Sequence, residues 1–295
     1  MGIRRILGLL AKPAWAMRPI PVEPSPEDLI PPPVYVTEQD VVSVVSRMFI
    51  DRYKAPDARF LAVEHFGLNG QDFADWSNEK AAPFMTELLN RETYRFMQMA
   101  FGYLVSSGVE GDYHEFGCFS GRTFRLALSE ARRYEMNDMR FYAYDSFEGL
   151  PVPSADAPPD VSSWSAGSMA MSDDEFRTLL DVHDVYRDKI DIVKGFFDQS
   201  LTPELQQQML QSGHKIAFAN VDCDLYESAI PVFDFIEPLL QEGSLVYIDD
   251  YYCGYRGNPT RGVAGAFYEY CKRSQWKFHP HVIAGWWGKA FIAYK

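Results

Sequence analysis

From residue 109 onward, short apolar runs alternate with helix-patterned segments at intervals of roughly thirty residues, the rhythm of βα units wound into a parallel sheet. The strand candidates are 111–116, 140–145, 190–194, 216–222, 245–249, 276–283 and 289–294. Helices are expected to begin near Gly121, Ser172, Phe197, Glu227 and Thr260, with Ser172-Asp173-Asp174-Glu175 reading as a capping box. Between the last two strands there is room only for a turn, Gly285 to Gly288, so the sheet should close with an antiparallel hairpin. The predicted class is therefore α/β, a Rossmann-like, seven-stranded and mainly parallel sheet. Doubly wound sheets bind ligands at the carboxyl ends of their strands, which makes the residues after each strand the ones to read.

Upstream the pattern differs. The first 18 residues carry Arg4, Arg5, Lys12 and Arg18 and no acid, while the whole chain has a net charge of -13. The apolar run Ile6 to Ala11 is too short for a signal-peptide core, and no run of about 18 apolar residues occurs, so neither secretion nor membrane spanning is expected. A basic amphipathic end could still rest weakly on anionic lipid. Seven prolines between positions 19 and 33 make an extended arm. Thr37 and Asp40 then open an apolar run at helical spacing, and Tyr94, Met97, Ala100, Phe101 and Leu104 form another that leads to Gly108. The predicted organisation is a basic and proline-rich segment over 1–34, a helical cover over 35–108 and a catalytic domain over 109–295. Four widely spaced cysteines suggest a reduced, cytoplasmic setting, and the acidic balance disfavours nucleic acid as a partner. Apolar material in the N-terminal region would suit a homo-oligomeric contact.

The first strand ends in Glu115-Phe116-Gly117-Cys118-Phe119-Ser120-Gly121-Arg122. Two glycines four apart let the backbone approach a ligand closely, but the three-glycine pattern of dinucleotide enzymes is absent. An acid in this loop suits a ligand carrying ammonium or sulfonium charge, such as S-adenosylmethionine. The second strand ends in Asp145-Ser146-Phe147-Glu148-Gly149-Leu150-Pro151, where a carboxylate can accept ribose hydroxyls. After the third, Gly195-Phe196-Phe197 offers a bend and a flat apolar wall for an adenine ring. Residues 150–171, rich in proline, serine and alanine, could form a lid or a passive surface loop.

The fourth strand ends in Asp222-Cys223-Asp224-Leu225-Tyr226-Glu227-Ser228 and the fifth in Asp249-Asp250-Tyr251. Adjacent strands thus deliver four carboxylates to one edge. Unit charges about 4 Å apart repel by about 4 kcal/mol at an effective dielectric of about 20, so such a cluster should hold protons or bind a cation. Oxygen-only ligation points to magnesium, manganese or calcium. Helix N-capping by Asp224 and Asp250 is the alternative that needs no ligand.

This ordered set of strand ends resembles the macrocin O-methyltransferase family over about residues 109 to 295, most specifically in Asp145-Ser146-Phe147-Glu148-Gly149-Leu150-Pro151 and Asp224-Leu225-Tyr226-Glu227-Ser228. The resemblance implies a class I methyltransferase sheet, S-adenosylmethionine as donor, and magnesium-assisted (or manganese-assisted) methylation of a hydroxyl, foremost that of a sugar in a natural product or surface glycan. Because a divalent cation can lower the pKa of a bound hydroxyl, Asp222, Asp249 and Asp250 are assigned as metal ligands, and the resemblance favours Asp222 as proton acceptor, with Asp224 a competitor. Donor contacts are expected from Glu115, Gly117, Gly121, Asp145, Ser146, Gly195, Phe196, Phe197 and Asp222. The family's usual Trp-Arg-Gly-Gly after the first strand is replaced here by Phe119-Ser120-Gly121-Arg122. His279 and His281 near the sixth strand are candidates to reach the acceptor. Two other readings compete: a metal-dependent sugar-nucleotide glycosyltransferase using Asp222-Cys223-Asp224, and a non-catalytic binding module on the same fold.

Overall fold

The computed structural model describes residues 78–153 and 165–295, with side chains from Leu89 onward. The basic start, the proline-rich arm, the helix expected from Thr37 and positions 154–164 of the expected lid lie outside the described residues. The first described helix, α1 (Asn78–Ser107), buries Phe96, Met97, Ala100, Phe101 and Leu104 as one stripe. Tyr94, expected on that stripe, is instead exposed. Gly108 ends the helix with φ +65, its N–H donating to the Val105 carbonyl while that of Val109 reaches the Leu104 carbonyl, a paired closure that needs a left-handed residue at this position.

The chain then alternates through β1 (Asp112–Phe116), α2 (Arg122–Arg133), β2 (Phe141–Asp145), α3 (Asp173–His183), β3 (Ile190–Lys194), α4 (Phe197–Ser200), α5 (Pro203–Gln211), β4 (Ile216–Val221), α6 (Tyr226–Ile236), β5 (Leu240–Ile248), α7 (Gly262–Arg273), β6 (Lys277–Ala284) and β7 (Gly288–Tyr294). The sheet order is β3-β2-β1-β4-β5-β7-β6. The strands from β3 across to β5 are parallel, and β7 runs antiparallel to both β5 and β6, as the short final turn requires. Every residue of β1, β2 and β4 is buried, as expected of parallel strands covered on both faces. Tyr113, Phe141 and Phe218 pack on one side with Phe96, Phe101, Phe124 and Phe176 of α1, α2 and α3. Phe116, Tyr142 and Tyr144 pack on the other with Val232, Phe233 and Tyr270 of α6 and α7. Strand order reverses between β1 and β4, and that switch point positions the site.

Two expectations needed adjustment. The fifth strand begins at Leu240, ahead of the expected Leu245, because Gln241-Glu242-Gly243 interrupts the apolar run while staying in the strand through a register shift against β4. Gly243 has φ +88, and a Cβ there would fall 2.8 Å from Val109. The helix expected from Phe197 is a single turn, followed by a separate helix started by Pro203 and capped by Thr202, whose Oγ1 accepts the Leu205 N–H at 3.2 Å. The capping box of α3 is present: Ser172 Oγ accepts the Glu175 N–H, and Glu175 Oε2 accepts the Ser172 N–H at 3.0 Å. Among the described residues no helix is long and apolar enough to cross a membrane.

Candidate active site

A cavity of about 510 Å³ opens over the carboxyl ends of β1 to β5, within the range of about 300–1,000 Å³ usual for small-molecule sites. Residues from α1, including Leu89, Thr93 and Phe96, form part of its wall. Six of the residues expected to contact a donor line it: Gly117, Asp145, Ser146, Phe196, Phe197 and Asp222. Gly117 has φ +93, and a Cβ there would stand 1.8 Å from the Asp222 carbonyl oxygen. The β1 and β4 ends can approach this closely only at a glycine.

Asp145 proves to be a brace as well as a wall. Its Oδ2 accepts the N–H groups of Cys118 at 2.7 Å and Phe119 at 3.1 Å, and its Oδ1 accepts that of Phe147 at 2.7 Å. The carboxylate thereby ties the glycine turn after β1 to the turn after β2. Ser146 staples the second turn, donating to the Gly149 carbonyl at 2.8 Å and accepting the Glu148 N–H at 3.1 Å.

The other three expected donor contacts sit behind the cavity wall. Glu115 is fully buried and hydrogen-bonded by the Tyr113 hydroxyl on the same strand face, with Oε1 lacking a partner among the described residues. Burial pushes its carboxyl up to about 8, against the opposing pull of Tyr113 and Asn220. Gly121, with φ +63, precedes α2 and makes room for the Phe176 ring, which a Cβ would meet at 2.9 Å. Gly195, with φ +135, lets its N–H reach the Asp145 carbonyl at 2.9 Å.

At the β4 and β5 ends, single carboxylate oxygens of Asp222, Asp224 and Asp250 lie within 4.8 Å of one another. Asp249 stands beside them, but its Oδ1 is engaged, accepting the Tyr247 hydroxyl at 2.8 Å and Trp287 Nε1–H at 2.9 Å. Burial foremost, then neighbouring carboxylates, holds Asp222 and Asp250 well above the usual range, and Asp224 is pushed up to about 7 by burial and Asp249. Asp249 is raised by burial, with Tyr247, Trp287, Asp222 and Arg122 pulling it back. One further orphan marks the cluster: Asp250 Oδ2 is buried without a hydrogen-bond partner among the described residues. The donor set is all oxygen and crowded with charge, which fits a hard divalent cation. Asp224 adopts φ +61, a left-handed conformation that sequence spacing does not reveal.

Several lining residues were not singled out from sequence. Arg122, the first residue of α2, lines the cavity, with Nη1 donating to Asn90 Oδ1 at 2.5 Å and a buried Nε that has no hydrogen-bond partner among the described residues. Its place within the Phe119-Ser120-Gly121-Arg122 departure was the available signal. Tyr247, Trp286 and Trp287 line the acid end. His279 and His281 do not: both are exposed on β6, with His281 against the Tyr103 ring at 4.9 Å.

Residues 36–266 match the model of a family described as macrocin-O-methyltransferase (TylF). Over 152 residues the chain is 26% identical to 8-demethyl-8-(2,3-dimethoxy-alpha-L-rhamnosyl)-tetracenomycin-C 4'-O-methyltransferase of Streptomyces olivaceus, covering 50% of this chain and 56% of that protein. It is 25% identical to demethyldecarbamoylnovobiocin O-methyltransferase of Streptomyces niveus, covering 50% and 55%. The chain thus spans about half the length of these curated relatives. Among solved structures, the O-methyltransferase NovP superposes with a TM-score of 0.56 at 19% identity, over 69% of this chain and 80% of that one. CalS11, a calicheamicin methyltransferase, gives 0.56 at 18%, over 80% and 91%. At these identities the structural likeness is one of fold. The turn carrying Trp286 and Trp287 lies C-terminal to the family-matched stretch.

Proposed function

The chain belongs to the macrocin-O-methyltransferase (TylF) family, and from that premise we propose that it transfers the methyl group of S-adenosylmethionine to a hydroxyl of a sugar, carried by a natural product or a surface glycan, with a divalent cation assisting. The observation that carries this reading is the union, in one cavity at the switch point of the sheet, of the Asp145, Phe196 and Phe197 side chains with an acid cluster. Phe196 and Phe197 offer flat apolar surface at the β3 end, Asp145 stands at the β2 end, and Gly117 lines the cavity at the β1 end. Arg122 at the start of α2, which lines the cavity and whose Nε has no hydrogen-bond partner among the described residues, provides a cation suited to the carboxylate of such a donor. These residues fit S-adenosylmethionine.

The donor supplies a methyl group already activated on sulfur. What the chain must do is hold an acceptor oxygen in line with it, exclude water and take the hydroxyl proton. Alignment alone can supply about 7–11 kcal/mol of the barrier reduction. Leu89, Phe96, Leu150 and Met169 supply apolar wall to the cavity, surface that would help exclude water from a bound donor and acceptor. Asp222, Asp249 and Asp250 are the proposed cation ligands, and the approach of Asp224 to Asp222 and Asp250 makes it a fourth candidate. A divalent cation held there would lower the pKa of the acceptor hydroxyl. Asp222, nearest in the fold to the β1 turn through its N–H bond to the Phe116 carbonyl at 2.9 Å, is the proposed proton acceptor at its carboxylate oxygen.

The test is a methyl-transfer assay with isotopically labelled S-adenosylmethionine and a panel of glycosides, in magnesium and in EDTA. Magnesium-dependent label in a glycoside, lost in Asp222→Asn, supports the reading. Binding of a sugar nucleotide with no methyl transfer to any acceptor would replace it with the glycosyl-transfer alternative.

A further inference from the structure

The turn between β6 and β7 presents an indole to the acid end of the cavity, and its construction is specific. Trp287 is buried, donates Nε1–H to Asp249 Oδ1 at 2.9 Å, and its carbonyl accepts the Tyr252 N–H at 2.9 Å. Gly285 has φ +56, and a Cβ there would stand 2.0 Å from the Trp287 ring, while a Cβ on Gly288 would stand 1.9 Å from the Tyr247 hydroxyl. Gly285 thus lets the turn close over the Trp287 ring, and Gly288 lets it lie against Tyr247. The neighbouring Trp286 stands nearly perpendicular to it, with ring centroids 5.7 Å apart and planes at 77°, lines the cavity and keeps 42% of its surface exposed.

Single exposed apolar side chains are ordinary on protein surfaces. Trp286 differs in place and in support. Its ring packs against a partner that is itself hydrogen-bonded to the acid cluster. A rigid, amphipathic ring of this kind offers contact area at low entropic cost.

The sheet order says which ligand it faces. Along the carboxyl edge, Phe196 and Phe197 follow β3, Asp145 follows β2, Gly117 follows β1, Asp222 and Asp224 follow β4, and Asp249 and Asp250 follow β5. Strand β7 comes next, antiparallel, so the turn entering it lies at this same edge. Trp286 is therefore on the far side of the carboxylates from the aromatic pair. A donor occupying the β1 to β3 ends leaves the Trp286 side to the acceptor.

We propose that Trp286 is the platform on which the acceptor's sugar ring stacks, held in place by the Trp287–Asp249 hydrogen bond. A pyranose carries C–H groups on its faces and hydroxyls at its rim. An indole against one face takes the apolar contact and leaves the rim hydroxyls directed at the carboxylates, which is the arrangement the methylated hydroxyl needs. The inference rests on the methyl-transfer reading and narrows its acceptor to a ring with an apolar face.

The test uses the full chain with S-adenosylhomocysteine and magnesium. Methyl α-L-rhamnopyranoside and methyl β-D-glucopyranoside serve as sugar probes, and catechol as a planar phenol. Saturation-transfer NMR reports which ring protons touch protein, and calorimetry reports S-adenosylhomocysteine affinity. The expected result is transfer to the C–H face of a glycoside in the wild type and a rise of about tenfold in its Kd in Trp286→Ala. Substantial recovery is expected in Trp286→Phe, and S-adenosylhomocysteine affinity should be unchanged throughout. Glycoside signals indifferent to residue 286, or dependence on that residue for catechol alone, would overturn the platform while leaving the methyltransferase reading standing. Failure of the wild type to bind S-adenosylhomocysteine would overturn the underlying reading.

Discussion

Replacing Asp145 with alanine removes the acceptor of three backbone N–H groups, bound at 2.7, 3.1 and 2.7 Å, from a side chain only 9% exposed. A hydrogen bond to a charged group contributes about 1.5–3 kcal/mol, and bonds to one carboxylate are not additive, so the expected loss is about 3–6 kcal/mol. That is a large share of the roughly 5–15 kcal/mol that holds a folded domain together. At about 2 °C per kcal/mol for a chain of this size, the melting midpoint should fall by about 6–12 °C. Thermal melting and urea unfolding measure it, with Ser146→Ala as the control that removes only neutral turn bonds and should cost about 1 kcal/mol. A melting shift for Asp145→Ala no larger than that control would refute the reasoning. Asp145 would then face ligand without bracing the two turns.

Three further outcomes follow from the same geometry. Because the folded protein holds carboxylates above their unfolded value of 3.8, with Asp224 at about 7, the metal-free protein should lose stability as pH rises through that window. The rise in Tm on adding magnesium should therefore grow between about pH 5 and pH 8, and a pH-independent increment would contradict the cluster as the cation site. Gly117→Ala, whose Cβ would stand 1.8 Å from the Asp222 carbonyl at φ +93, should abolish folded protein or cost more than about 4 kcal/mol by urea unfolding. Ser172→Ala should cost about 1 kcal/mol through the lost cap of α3 while leaving S-adenosylhomocysteine affinity intact in calorimetry.

Much of this was legible in the sequence because strand ends in a parallel sheet carry their own punctuation. The runs ending at Phe116, Asp145 and Lys194 fell within a residue of the observed strands, and the short link after Ala284 foretold the antiparallel hairpin. What escaped depended on facing and on contacts across the chain. Glu115 read as a loop acid, yet strand alternation places it on the Tyr113 face, where Tyr113 donates to it and burial keeps it from the cavity. Asp145 read as a ligand contact, and nothing local shows that three backbone N–H groups from two turns converge on it. Asp224 lies with Asp222 and Asp250 and has a positive φ, and no spacing rule predicts either. Trp287 reaches Asp249 across 38 residues only because β7 pairs antiparallel with β5, and that register is set by packing.

In the proposed reading the cavity over β1 to β3 holds an S-adenosyl donor beside a cation-binding acid cluster. Isothermal titration of the full chain with S-adenosylmethionine and with S-adenosylhomocysteine, with and without magnesium, tests it most directly. Saturable micromolar binding of both is the predicted result. Absence of heat with either ligand, from protein shown to be folded, would contradict the account.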